Sequence, residues 1–234
     1  MSVREIIYMV LDLAKASTSD DSFFTEDHVL FLLKKYRSFL IKKERERKVV
    51  TDESIEFESQ QVCLSLEKVP AIDGSPCTGG YYLRTVQKIP KILEGIKPRV
   101  YPKDYFQGTN VCYVSRDKMR YLGTNKFLRN ILYATIGPDL HLYLKSSNTQ
   151  FLYLKSLRMT AIFEDFDEAA ELMCKDSAEE GSCDILNETF PIRDSLVPTL
   201  IELVVKELTG AEYKPTDEKN NASDDLNKAA VKQG

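Results

Sequence analysis

The chain has 234 residues, 43% hydrophobic and 29% charged, with a formal net charge of −4. That balance excludes bulk disorder and supplies apolar material for a sizeable core. A pI near 5.4 gives no global pull towards nucleic acid, and no apolar run approaches the roughly 18 residues of a membrane span.

Val3, Ile6, Ile7, Val10, Leu13 and Ala14 recur at helical spacing, which predicts a first amphipathic helix. Glu5 and Asp12 interrupt its apolar stretch and no small-residue cleavage site follows, so it reads as a helix and not a secretory leader. Ser17 to Asp21 then break the pattern. Thr25 is an N-cap for a second helix, with Glu26 and Asp27 favouring the dipole and Phe24 and Val29 placed for a hydrophobic staple. Its apolar face continues through Leu32, Leu33, Tyr36, Phe39 and Leu40, and the basic residues up to Ile41 are read as avoiding that face. From Lys42 to Lys48 charges point in every direction, so this end is expected to project into solvent or against a partner.

The middle alternates as strands do. Val62, Leu64 and Leu66 form one face of a half-buried strand. Tyr81 to Val86 and Val111 to Ser115 are further strands, and Arg116 to Leu122 one or two helical turns. Asn130 to Ile136, Leu140 to Leu144 and Phe151 to Phe163, separated by Gly137-Pro138-Asp139 and Ser146-Ser147-Asn148, predict a three-stranded antiparallel meander. Glu164 to Met173 reads as a short acidic helix, and Cys174 to Pro191 as a polar loop. A final helix from about Asp194 to Thr209 is apolar on more than one face, with Gly210 as its C′ residue.

The resulting class is α+β. Residues 1–50 form a helical hairpin, 51–192 a mainly antiparallel β region with the acidic helix, 193–210 the C-terminal helix and 211–234 a flexible tail. The tail is expected to order only against a neighbour.

No constellation of residues specifies catalysis. The Gly79-Gly80 loop leads into a strand and lacks the Gly-Lys-Ser/Thr of a phosphate-binding loop. His28 and His141 have no ligand-spaced partners, and Glu164, Asp165, Asp167, Glu168 and Glu171 fit a solvated or interface face better than a metal site. The five cysteines are odd in number with no Cys-x-x-Cys, so free thiols in a reducing compartment are expected. Cys77 and Cys112 read as small buried residues. No enzyme, cofactor or metal is therefore expected. Two basic stretches remain: Lys34, Lys35, Tyr36 and Arg37 up to Lys48, and Arg116, Lys118, Arg120, Lys126 and Arg129 beside Tyr121 and Phe127. They suit phosphate contact, subunit salt bridges or plain solvation.

Lys34 to Lys48 holds eight basic and two acidic residues, a local charge of +6. Glu164 to Glu188 holds ten acidic residues and one lysine, a local charge of −9. Opposite surfaces on one chain suit a head-to-tail contact between copies. The expected pairing sets Lys42, Lys43, Arg45 and Arg47 of one subunit against Asp167, Glu168 and Glu171 of the next.

Three long strings carry a resemblance: REIIYMVLDLAK near the start, the block from Ile89 (IPKILEGIKPRVYPKDYFQG) through Tyr113 to Leu172, and SLVPTLIELVVKEL near the end. From about Val3 to Asp225 the chain resembles structural proteins of crAss-like bacteriophages, which look like ring components of a podovirus-like tail. The resemblance implies a virion tail protein, present in the host cytoplasm during assembly and forming a closed ring of about twelve copies. It further implies a head-tail connector next to the portal protein, contact with neighbouring ring proteins, genomic DNA passing through the lumen without sequence-specific binding, and no membrane. The alternative is a small nucleic-acid-binding or assembly factor.

Overall fold

Val3, Ile6, Ile7, Val10 and Ala14 are buried along one face of the first helix, α1 (Val3–Ser17), as their spacing predicts, but Leu11 completes that face and Leu13, expected on it, is exposed. A computed structural model describes residues 1–17, 24–47, 57–70, 81–102, 110–119, 121–122, 127, 131–174 and 184–211. A reciprocal capping box starts α1: Ser2 N–H donates to Glu5 Oε2 at 2.8 Å, and Glu5 N–H donates to Ser2 Oγ at 3.3 Å. Helix α2 (Glu26–Arg47) begins at the expected cap, where Thr25 Oγ1 accepts the His28 N–H at 3.3 Å.

The last helix, α5 (Val197–Ala211), packs on both α1 and α2. Two-sided packing is what its over-apolar sequence requires. Val197, Leu200, Ile201, Val204 and Leu208 join α1, α2, Phe166, Phe190 and Ile192 in one core. The C-terminal helix thus belongs with the N-terminal pair. Gly210 lies inside α5 and does not cap it. The stretch expected as a polar loop before α5 supplies buried Phe190, which meets Phe166 edge-to-face at 5.0 Å.

Polar contacts tie α2 to α5. Lys35 Nζ donates to Glu207 Oε1 at 2.8 Å and the Tyr36 hydroxyl donates to Glu207 Oε2. These bonds from Lys35 and Tyr36 hold the Glu207 carboxyl below its ordinary value of 4.5.

Seven strands follow: β1 (Gln60–Pro70), β2 (Tyr81–Thr85), β3 (Arg99–Pro102), β4 (Asn110–Tyr113), β5 (Ile131–Ile136), β6 (Leu142–Lys145) and β7 (Ser156–Ala161). Their order is β3-β7-β1-β2-β6-β5-β4. All pairs are antiparallel except β4 with β5. That parallel pair needs a long crossover, which residues 114–130 provide, with the one-turn helix α3 (Arg116–Met119) inside it. Strand β1 is a corner. Gln60 to Ser65 pair with β7, whereas Leu66 to Pro70 pair with β2. The end strands β3 and β4 approach each other, so the sheet curls around its own core of Val62, Leu64, Leu83, Leu132, Leu142 and Leu157. Ala169 and Leu172 of α4 (Phe166–Cys174) join that core, and α4 lies against β1.

The α+β class holds, but the meander stops after two strands. The β5–β6 hairpin forms as expected. Thr149–Tyr153 then folds as a 3-10 turn, with Asn148 Oδ1 accepting the Gln150 N–H at 3.0 Å. This turn redirects the chain, and β7 pairs with β1 and β3 instead of β6.

Arg37 of α2 joins the two cores. It is fully buried. Nε donates to Pro191 O at 2.8 Å, Nη1 to Phe163 O at 2.7 Å and Nη2 to Glu58 O at 3.2 Å. Its guanidinium lies 5.9 Å from the Phe166 ring centre. Burial lowers its pKa to about 10, which leaves it charged at neutral pH. Arg37 therefore lies on the buried face, contrary to the expectation that basic residues avoid it, and reaches no phosphate. Ile41, the last residue before the charged end of α2, is buried against Leu93 and Ile162.

Three outcomes are expected. Arg37→Ala strips donors from three carbonyl oxygens and should lower stability by about 3–5 kcal/mol in urea unfolding. Gly137→Ala sets a Cβ 2.7 Å from the Tyr143 ring and against the Asp139 carboxylate, which accepts the Tyr143 hydroxyl at 2.6 Å. It should cost about 1–2 kcal/mol, read as a melting temperature lower by about 2–8 °C. Glu207, with its lowered pKa, contributes stability that is present above its ordinary value and is lost as pH falls through the lowered one. Glu207→Gln should therefore flatten the loss of stability between about pH 6 and pH 3, measured as urea midpoints.

Candidate subunit interface

The charged residues singled out from sequence fall into three environments. Lys42 and Lys43 are exposed on α2. Lys42 Nζ lies 3.2 Å from Glu94 Oε2 in a solvated pair, and Lys43 Nζ lies 5.5 Å from the Phe39 ring centre. Arg45 turns inward: one of its terminal nitrogens lies 4.0 Å from Glu58 Oε2. Burial lowers the Arg45 pKa, opposed by Glu58. The side chain of Arg47 lies outside the described residues.

Glu58 is itself buried, and its Oε1 accepts Arg193 Nε at 2.6 Å. Arg193 also lies 3.9 Å from Glu44. Arg45 thus belongs to an internal charge cluster with Glu58 and Arg193, and α2 ends with its charges partly folded in. The pattern Leu33, Arg37, Ile41, one residue every helical turn, is the signal that sequence reasoning passed over.

Asp167 is likewise engaged within the chain, accepting a hydrogen bond from Lys34 of α2. Glu168 and Glu171 of α4 are exposed. The Glu168 carboxyl sits above its usual value, first through partial burial and then through the nearby carboxylates of Asp165 and Asp167. The proposed pairing is therefore divided. Lys42, Lys43, Glu168 and Glu171 remain on the surface, while Arg45 and Asp167 serve internal contacts.

In the second basic stretch, Arg116 and Lys118 sit exposed on the single turn of α3. Arg120, Lys126 and Arg129 lie outside the described residues, as does the Gly79-Gly80 loop. Cys112, expected to be buried, is exposed, and Cys77 is outside the described residues. His28 lies exposed in the first turn of α2. His141 turns its Nδ1 to Thr85 O at 2.7 Å. Among the described residues no group of three or more His, Cys, Asp or Glu side chains could hold a metal. No described helix is long and apolar enough to cross a membrane.

Apolar surface is what the structure adds to the sequence reading. Phe31 and Phe39 stand out from α2 with relative exposures of 62% and 50%, so Phe39, expected on the buried face with Leu40, lies off it. Met9 and Leu13 are exposed on α1. Between α1 and α5 runs an open groove of about 760 Å³, lined by Met9, Leu13, Val197, Ile201 and Val205. It meets a second cavity of about 690 Å³ at Met1 and Asp194, where Phe57 and Met173 are also exposed. Contiguous exposed apolar surface of this kind marks a docking site more often than a monomer's solvent face.

A family model described as phage tail ring protein 2 matches residues 5–226. Over 229 residues the chain is 53% identical to "Ring protein 2" of Bacteroides phage crAss001, covering 97% of this chain and 98% of that protein. At that identity over that length the fold and the structural role are shared: the chain belongs to the tail ring protein 2 family of crAss-like phages, a structural ring component of the phage tail.

Proposed function

We propose that the protein forms a closed homo-oligomeric ring of about twelve copies in the tail barrel. The ring lies between the portal vertex and the distal tail, acts as a connector there, and lets DNA pass through its lumen without sequence-specific contact. Its subunits gather from the host cytoplasm during assembly. The observation that carries this reading is the full-length match to a tail ring family.

The surface supports it. A closed ring needs two different patches on each subunit, one for each neighbour. The helical layer offers unpartnered apolar side chains on α2 and a separate apolar groove between α1 and α5. Lys42 and Lys43 on α2, with Glu168 and Glu171 on α4, add opposite charges that steer copies together. Arg37 and Arg45 are committed to internal contacts, which takes two cations away from the alternative of a nucleic-acid-binding factor.

A ring of this kind is a stoichiometric part of the particle. Quantitative proteomics of purified virions should find the chain at a fixed ratio to the portal protein, near one copy per portal subunit. Its absence from mature particles would sink the reading.

A further inference from the structure

The outward face of α2 is a ridge. Phe31, Lys35, Phe39 and Lys43 follow one another at every fourth residue, and all four are exposed. Phe31 and Phe39 are eight residues apart, about 12 Å along the helix. A cation flanks the second ring, with Lys43 Nζ 5.5 Å from the Phe39 centre. Exposed aromatic rings beside cations are the composition of an interface anchor, since rings supply area and lysine stems cover apolar surface.

The groove between α1 and α5 has the complementary form. Its α5 wall, Val197, Ile201 and Val205, also spans eight residues and thus about 12 Å. Met9 and Leu13 form the other wall. Asp194 and Glu202 stand at the groove with Lys206 and Met1, and exposed Asp12 precedes Leu13 in α1 without lining the groove. Ridge and groove therefore match in length and in apolar character, and Glu202 and Asp12 are acids that a lysine beside the ridge can meet. They do not overlap, because no α2 residue lines the groove.

We infer that the α2 ridge of one subunit seats Phe31 and Phe39 in the α1/α5 groove of the next copy, with Lys43 towards Asp12 and Glu202, and that this contact joins successive subunits. The inference rests on the ring reading above and names its interface. The mode is a helix laid in an apolar groove, used here between copies of one chain. The two patches differ, so the contact is heterologous and can propagate until the ring closes.

The test uses the full chain. One variant carries Phe31→Glu with Phe39→Glu, and a second carries Met9→Glu with Leu13→Glu. All four side chains are exposed, so circular dichroism and melting should match the unmodified chain. Should the first variant unfold, Phe31→Ser with Phe39→Ser replaces it. Sedimentation velocity should show the unmodified chain assembled. Each variant should need at least about a tenfold higher concentration to assemble. An equal mixture of the two should give a heterodimer that grows no further, because the contact uses the one intact ridge and the one intact groove and leaves only the altered surfaces free.

Normal assembly by either variant overturns the contact and leaves the ring reading intact. So does loss of assembly in the groove variant alone, which would mean that another occupant, such as the chain's own tail, covers the groove. If the unmodified chain stays monomeric in isolation, purified virions are treated with a zero-length carbodiimide cross-linker. Lys43 should then be joined to Asp12 or Glu202. Cross-links from Lys43 to other carboxylates only, or none at all, overturn the contact. Absence of the chain from those virions would instead defeat the ring reading itself.

Discussion

One buried cation holds the two halves of this molecule in register. Arg37 extends from α2 into the seam between the helical core and the curled sheet. There it satisfies carbonyl oxygens from three distant segments, at Glu58, Phe163 and Pro191. None of the three residues lies within one of the named strands or helices. Burying a guanidinium is costly, and the lowered pKa records that cost. Three hydrogen bonds and a nearby aromatic face offset it. Apolar contacts alone would let helices slide over a sheet. A fork of donors with fixed geometry does not.

Around that clamp the remaining charges are arranged in shells. Glu58 turns its carbonyl to Arg37 and its carboxylate to Arg193 and Arg45. Lys34 meets Asp167 across α2 and α4, and Lys35 meets Glu207 across α2 and α5. The curled sheet and the helices are thus fastened by polar contacts at the edges of their separate cores. Such contacts oppose sliding of one element over another, and closure of a ring depends on each interface repeating the same rotation.

Much of this was legible locally. Apolar spacing gave α1, the Thr25 cap placed the start of α2, and the excess of apolar faces on α5 anticipated its packing against two helices. Ser2 three residues before Glu5 was a capping box open to the same reasoning. The sheet was less legible, since strand identity is local and strand partnership is not. Nothing in Ser156–Ala161 distinguishes a partner at β6 from one at β1. The 3-10 turn at Thr149–Tyr153 makes that choice, and a run of Phe, Leu and Tyr reads equally well as strand. The interface was half legible. Charge runs pointed to α2 and to α4, but counting charges does not show which of them the fold consumes.

Angle around α2 settles that question. Taking Arg37 as the centre of the buried face, Leu33 and Ile41 lie about 40° to either side of it. Lys34 and Arg45 lie about 60–80° away, at the boundary, where a long side chain reaches back to an acid on a neighbouring element. Phe39 and Lys42 lie about 140–160° away, on the opposite face, and Lys35, at a similar angle, still reaches Glu207 of α5. One helix thus spends like charges in three ways: as an internal clamp, as fasteners between elements, and as a surface for a partner. The aromatic residues divide by the same angle, Tyr36 turning towards α5 while Phe31 and Phe39 face outward. Phe39 lies about 160° from Arg37 and Phe31 about 120°, and both are exposed in a single copy. Exposed rings of this size carry an aggregation hazard, which covering them in an assembly would remove.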